Sequence, residues 1–336
     1  MVKERLYAAD CVSAIAEFGA DVVLSGNALP HLQNWIRIPL QQSGIAFVAW
    51  IQDSYGSGIS AVLARKLGPI GHLLAYPFRA AERRLISESN ASVFISEDFA
   101  ESFRRAGVRP RPEAWHVVEN WAVIASLPVR PKENSWTIAA GLAGKKVLLY
   151  AGILGLKHNP ELLVQLARSF RERSNVTVAV ITEGRGRDHL ERRRSELGLE
   201  NLRLLDFQPF ELLPDVIAAG DVLIAMLEKE AGMYAVPSKV LTYLCARRAL
   251  LLSMPRSNLA ARTVLTNEMG IVVEPDDKAG FIRAAWRLLD EPATAELFAD
   301  RARRYAESAF DISAIGSHFE EILSTAVPSG RSRRAA

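Results

Sequence analysis

Val236-Pro237-Ser238-Lys239-Val240-Leu241-Thr242-Tyr243-Leu244-Cys245-Ala246-Arg247-Arg248-Ala249-Leu250-Leu251-Leu252-Ser253 is the stretch whose reading decides the fold. Pro237 blocks helix upstream, and Ser238 is a good N-cap, with a hydroxyl able to accept from an exposed amide. Val240, Leu241 and Leu244 recur at helical spacing, so one face is buried. The apolar run Ala249 to Leu252 is short enough for a strand buried on both faces, and Asp221-Val222-Leu223-Ile224-Ala225-Met226 upstream reads as another. A strand, a polar loop and a helix whose first turn holds Ser238 and Lys239 make a plausible anion site, with free amides, the helix dipole and an ammonium converging. Taken alone, the segment suits a capped core helix with a solvated lysine better.

Outward from this stretch the C-terminal half alternates between strands and helices. Residues 147–151, 176–181, 202–205, 221–226, 249–252 and 271–273 read as strands. Helices are predicted over 160–171, 187–197, 211–219, from 238, through 264–265, and over 278–290 and 293–307. This alternation predicts a parallel sheet covered on both faces. The N-terminal half has the same grammar with fewer strands: a helix over 3–18, strands at 21–25, 45–51, 91–95 and 115–119, and a helical region over 59–88 broken at Pro77. Gly26 to His31 and Gln52 to Gly58 read as loops, and Ser96 as the cap of a helix starting at Glu97. Residues 122–145, with Pro128 and Pro131, read as a linker, and the basic end Arg331-Ser332-Arg333-Arg334 as disordered.

Composition narrows the class. The length of 336 residues suggests two domains, and 49% hydrophobic residues are ample for their cores. A net charge of +3 is too small to argue for nucleic acid. Cys11 and Cys245 form neither a disulfide framework nor a metal-ligand pair, which fits a reducing compartment. No apolar run approaches the ~20 residues of a spanning helix, and the start lacks a signal-peptide core, so the cytoplasm is the expected location. Residues 73–84 mix Leu73, Leu74, Tyr76 and Phe78 with Arg79, Arg83 and Arg84. That mixture suits an anionic membrane surface, or, more simply, a helix with one buried face.

Three loops at strand ends carry candidate phosphate ligands. Gly152-Ile153-Leu154-Gly155-Leu156-Lys157-His158-Asn159-Pro160 offers two glycines and a lysine just before a helix, at neither dinucleotide nor Walker spacing. Thr182-Glu183-Gly184-Arg185-Gly186-Arg187 is the second, and the segment around Ser238 and Lys239 the third. Their convergence on one sheet edge favours a phosphate-bearing ligand in a crevice. The chain has no G-x-S-x-G, H-E-x-x-H or C-x-x-C, so neither a nucleophile elbow nor a metal motif is supported.

Gly152-x-x-Gly155-x-Lys157, Glu183-Gly184, Asp206-Phe207-Gln208-Pro209 and Val236-Pro237-Ser238-Lys239 with Tyr243-Leu244 resemble the donor domain of family 4 glycosyltransferases, closest to the colanic-acid and O-antigen branch. Leu24-Ser25-Gly26-Asn27, Trp50-x-Gln52-Asp53, Ile95-Ser96-x-x-Phe99 and Asn120-Trp121 resemble the same branch in the first half. The resemblance implies a GT-B fold: α/β, with two Rossmann-like parallel-sheet domains facing a cleft. The domains expected are an N-terminal acceptor-side one over 1–130, a C-terminal donor-binding one over 131–310, and a C-terminal helix and basic tail over 311–336.

It also implies a UDP- or GDP-linked sugar as substrate, no cofactor and no metal, retention at the anomeric carbon, and an acceptor in envelope polysaccharide assembly, lipid-linked at the inner membrane face. Gly152, Gly155 and Lys157 would approach the diphosphate with Ser238 and Lys239, and Glu183 belongs to the donor side. Phe207 and Gln208 would meet the base. Gln52, Asp53 and His31 would lie on the acceptor side, with Lys157, Lys239 and Asp53 closest to the chemistry.

Two departures stand out. The family's paired glutamates would fall at Tyr234 and Thr242, while Glu228 and Glu230 are out of register. The usual opening strand with its glycine-rich loop is missing, so either the start is misassigned or the first domain is incomplete. A nucleotide-sugar epimerase of the hydrolysing type and an inactive GT-B partner subunit are the alternatives.

Overall fold

The computed structural model describes residues 2–109, 113–155, 158–229 and 237–328. The chain separates into two units, residues 1–120 with 312–336, and residues 121–311.

The C-terminal unit is a six-stranded parallel sheet: β5 (Lys146–Ala151), β6 (Val176–Ile181), β7 (Leu202–Leu205), β8 (Val222–Met226), β9 (Ala249–Ser253) and β10 (Gly270–Val273). The strand order is β10-β9-β8-β5-β6-β7. The chain therefore winds outward from β5 in one direction, then returns beside it and winds in the other, the doubly wound order of dinucleotide-binding sheets. Alternate residues of each strand enter two separate cores. Val147 and Leu149 of β5 join Leu223 and Ala225 of β8 on one face, while Leu148 and Tyr150 join Val222 and Ile224 on the other. Burial on both faces is why these strands read as unbroken apolar runs. Each Leu or Val taken fully out of water contributes roughly 1.5–3 kcal/mol.

The N-terminal unit has four parallel strands, β1 (Val22–Gly26), β2 (Ala46–Ile51), β3 (Ala91–Phe94) and β4 (Trp115–Val117), in simple sequential order. Helix Ile312–Ala326 packs on this sheet, where Phe319 meets the Trp50 ring edge-on at 5.2 Å. The C-terminal segment thus belongs with the first unit and is not a separate tail. The basic residues 331–334 lie outside the described residues.

Several expectations are corrected. The helical region over 59–88 is three helices, Tyr55–Leu67, Pro69–Leu74 and Tyr76–Glu88, and its breaks fall at Gly68 and Ala75. Pro77 sits in the first turn of the third helix, where its missing N–H costs nothing. Residues 30–42, partly read as loop, form a helix whose buried side includes Gln33, Asn34 and Arg37. Residues 122–145 are no free linker. Ala122, Leu127, Trp136 and Leu142 are buried in the core of the C-terminal unit, so the boundary lies at 120/121 and not at 130/131. Asn134 caps helix Ser135–Ala139 by accepting from the Thr137 amide.

Candidate functional site

Strand order in the C-terminal unit reverses between β5 and β8, and in an open parallel sheet the crevice beyond that point is where ligands bind. A cleft of about 690 Å³ lies there. Its floor is the end of β5, Ala151, followed by Gly152, Ile153, Gly155 and His158. One wall is the start of helix Ser238–Cys245, through Pro237, Ser238, Lys239, Thr242 and Tyr243. The far wall is apolar around Gln208, with Phe207, Pro209, Phe210, Leu213 and Val216. Among the described lining residues there is one lysine and no carboxylate.

The geometry around Lys239 explains the glycine opposite it. The Lys239 ammonium stands 3.7 Å from the centroid of the Tyr150 ring, a cation–π contact. A Cβ placed on Gly152 would lie 2.8 Å from that Nζ. Gly152 also adopts φ +134°, which side chains disfavour. Glycine here leaves room for the ammonium at the mouth of the loop. Ser238, expected as the N-cap, is instead the first residue of the helix; Pro237 holds the cap position, and no side chain caps the helix. The first turn therefore meets the cleft with amides that no side-chain cap engages, and with the positive end of its dipole.

The two sides of the cleft are held in register by Tyr243. Its buried hydroxyl accepts from the Ala151 amide at 2.9 Å and donates to the Ala151 carbonyl at 3.1 Å. Burial pushes its phenol pKa well up, so it stays a neutral donor and acceptor. The glycine loop is tied down as well: the Leu154 amide donates to Thr182 Oγ1 at 3.2 Å, and the Gly155 amide to His158 Nδ1 at 3.0 Å. Gly186 lets the next helix approach, since a Cβ there would lie 2.5 Å from the Leu154 carbonyl oxygen. On the far wall, Trp136 Nε1 donates to Gln208 Oε1 at 3.0 Å, and Gln208 Nε2 donates to the Asp206 carbonyl. The Gln208 side chain thereby fixes its loop.

The predicted donor residues Gly152, Gly155, Phe207, Gln208, Ser238 and Lys239 thus all line one cleft. Glu183 is exposed and is not among the described lining residues. Arg187, from the same loop, spends its guanidinium on the Thr182 and Leu205 carbonyls, closing the ends of β6 and β7. Lys157 and Tyr234 lie outside the described residues; Gly155 and His158, which flank Lys157, are at the cleft. Tyr150, His158 and Tyr243 carry much of the geometry, and the sequence reading gave none of them a role.

In the N-terminal unit, Gln52 and Asp53 follow β2, with Asp53 exposed. The segment after them is held by Glu82, whose buried carboxylate accepts from the Gly56 amide at 3.2 Å and from Ser54 Oγ at 3.3 Å. Burial pushes this carboxyl up to about 7. Tyr55 Oη donates to the Asn27 carbonyl, joining the loops after β1 and β2. His31, predicted in a loop, lies in the first turn of helix Pro30–Gln42, edge-on to Trp35 and 3.8 Å from Glu4. It serves the packing of two helices.

Residues 145–291 match the family model described as "Glycosyl transferases group 1". The match falls within the C-terminal unit and covers less than half of the chain. Two curated relatives agree with that match. WcaI of Escherichia coli (strain K12), a glycosyl transferase named for colanic acid biosynthesis, is 24% identical over 168 residues, covering 50% of this chain and 40% of WcaI. Alpha-D-kanosaminyltransferase of Streptomyces kanamyceticus is 24% identical over 250 residues, 72% of this chain and 62% of that protein. The matched stretches span less than two thirds of either relative. Among solved structures, Anabaena Alr3699/HepE in complex with UDP-glucose superposes with a TM-score of 0.73 at 16% identity, covering 95% of this chain and 82% of that one. WaaG, a glycosyltransferase involved in lipopolysaccharide biosynthesis, gives 0.66 at 15% identity, with 96% and 95% covered. The fold is α/β with two parallel-sheet, Rossmann-like units, the GT-B type.

Proposed function

We propose that this chain is a metal-independent, retaining glycosyltransferase that moves a sugar from a UDP- or GDP-linked donor to an acceptor in cell-envelope polysaccharide assembly. The observation that carries the reading is the meeting of Lys239, the glycine loop after β5 and an uncapped helix start at the sheet's reversal point. Such a site suits a diphosphate, and the apolar wall at Phe207 and Phe210 suits a base. In the transfer, the bond between the sugar's anomeric carbon and the diphosphate oxygen breaks, and its electron pair stays on the phosphate. Lys239 and the helix-start amides stabilise that growing charge, with Lys157 assigned to the same task. The acceptor hydroxyl oxygen bonds to the anomeric carbon on the face the diphosphate leaves, and its proton passes to the departing phosphate oxygen. Gln52 and Asp53 are assigned to the acceptor side, and the acceptor to a lipid-linked chain at the inner membrane face. The relatives named for colanic acid and lipopolysaccharide biosynthesis support the envelope setting.

Thr242 on the cleft wall, where the family would place a glutamate, favours a second reading, a subunit that binds the nucleotide without transferring the sugar. Release of nucleoside diphosphate from nucleotide sugars, measured with and without a lipid extract as acceptor, separates the two. Acceptor-dependent release with retained anomeric configuration is expected. Tight nucleotide binding with no release would support the second reading, and release without acceptor would point to an epimerase.

A further inference from the structure

The crossover from β2 to β3 exposes an inverted helix. In Pro69–Leu74 the small residues face inward. Gly71 is buried, with a hypothetical Cβ only 2.2 Å from the Leu63 carbonyl oxygen, and Ala75 one turn on is fully buried. Ile70, Leu73 and Leu74, at i, i+3 and i+4, share the opposite side and are 64%, 74% and 49% exposed. Tyr76 continues the patch at 62% exposed. An ordinary surface helix buries its large apolar residues, and a contiguous exposed group of them marks an interaction surface.

Charge says what covers it. Between Ser54 and Ser87 the sole acidic residue is Glu82, and it is buried. Arg65, Lys66, Arg83 and Arg84 of the flanking helices are exposed. Arg84 is engaged by Glu88, leaving a surface of one sign around an apolar ridge. This pattern complements an anionic lipid surface, where apolar side chains enter the acyl boundary and basic ones meet headgroups.

We propose that helix Pro69–Leu74 docks the N-terminal unit on an anionic bilayer, with Ile70, Leu73 and Leu74 inserted and Arg65, Lys66 and Arg83 at the headgroup level. The proposal deepens the lipid-linked acceptor reading, and it is separable from it because the nucleotide cleft belongs wholly to the C-terminal unit.

The test is sedimentation of the full chain with vesicles of phosphatidylcholine alone or mixed with phosphatidylglycerol. Binding to the mixed vesicles only, weakened by salt, is expected. Joint replacement Ile70→Ser, Leu73→Ser and Leu74→Ser should weaken it more than about tenfold. Lys66→Ser and Arg83→Ser should each weaken it roughly fivefold. Because all these side chains are exposed, unfolding temperature and nucleoside diphosphate affinity should stay at wild-type values. A wild type that stays in solution beside anionic vesicles at low salt overturns the proposal, as does a triple variant that binds like wild type. A triple variant that loses self-association while keeping vesicle binding overturns it too, and makes the ridge a contact with a second copy or an acidic protein.

Discussion

The two units build similar parallel sheets and use them differently. In the C-terminal one the strand order doubles back, so helices cover both faces and the reversal opens a ligand crevice beyond β5 and β8. In the N-terminal one β1 to β4 run in a single direction, and most of the exposed large apolar residues among those described belong to it. The reversal thus opens a crevice at the C-terminal sheet that the sequential order of β1 to β4 does not provide. Both rely on glycine for close approach: Gly152 makes room for an ammonium, and Gly71 lets two backbones meet.

The sharpest way to break this contrast is Lys239→Ala. It should lower the rate of sugar transfer by about 10²–10³-fold, the usual scale for losing one charge-stabilising group, with the thermal midpoint nearly unchanged. A wild-type rate would remove the cleft from the chemistry. Gly71→Ala comes next, because its Cβ would meet backbone and not a movable side chain. A loss of roughly 3 kcal/mol in the N-terminal unit is expected by denaturant unfolding, with nucleotide affinity retained.

Glu82 adds a pH signature to that same unit. Its carboxyl is near 7 when folded against an ordinary 4.5, so the folded chain keeps a proton that the unfolded chain releases between those values. Stability from this group is full below about pH 4.5 and is lost as pH rises through 7, by about 3 kcal/mol. Glu82→Gln should flatten that slope relative to wild type in urea titrations across the range; an unchanged slope refutes the assignment. The smallest effect is expected for Tyr243→Phe, which removes one hydroxyl from the Ala151 bridge. About 1–2 kcal/mol of stability should go, together with a rise in KM for the donor larger than the fall in kcat.

The strands of the C-terminal unit were legible because burial on both faces leaves mostly apolar residues to read, with Thr177 and Ser253 the polar exceptions in β6 and β9. Helix Pro30–Gln42 was not, since Gln33, Asn34 and Arg37 lie on its buried side and Pro39 within it. Arg37 is buried because Asn34, Gln41 and Glu88 take up its guanidinium. Residues 122–145 looked like a linker for a similar reason: Trp136 and Leu142 reach the core singly, with no repeating spacing to announce them. In the site, the glycines, Ser238 and Lys239 stood out locally. Tyr243 was visible as part of the motif, but its role was not, because that role is a contact with Ala151, 92 residues away.

Calorimetric titration of UDP, GDP and ADP into the wild type and a Gly152→Val variant tests the cleft most directly. Saturable binding of UDP or GDP to the wild type is predicted, lost in the variant because the new side chain would occupy the place of the Lys239 ammonium. No heat with any of the three nucleotides, or equal affinity in the variant, would contradict the account.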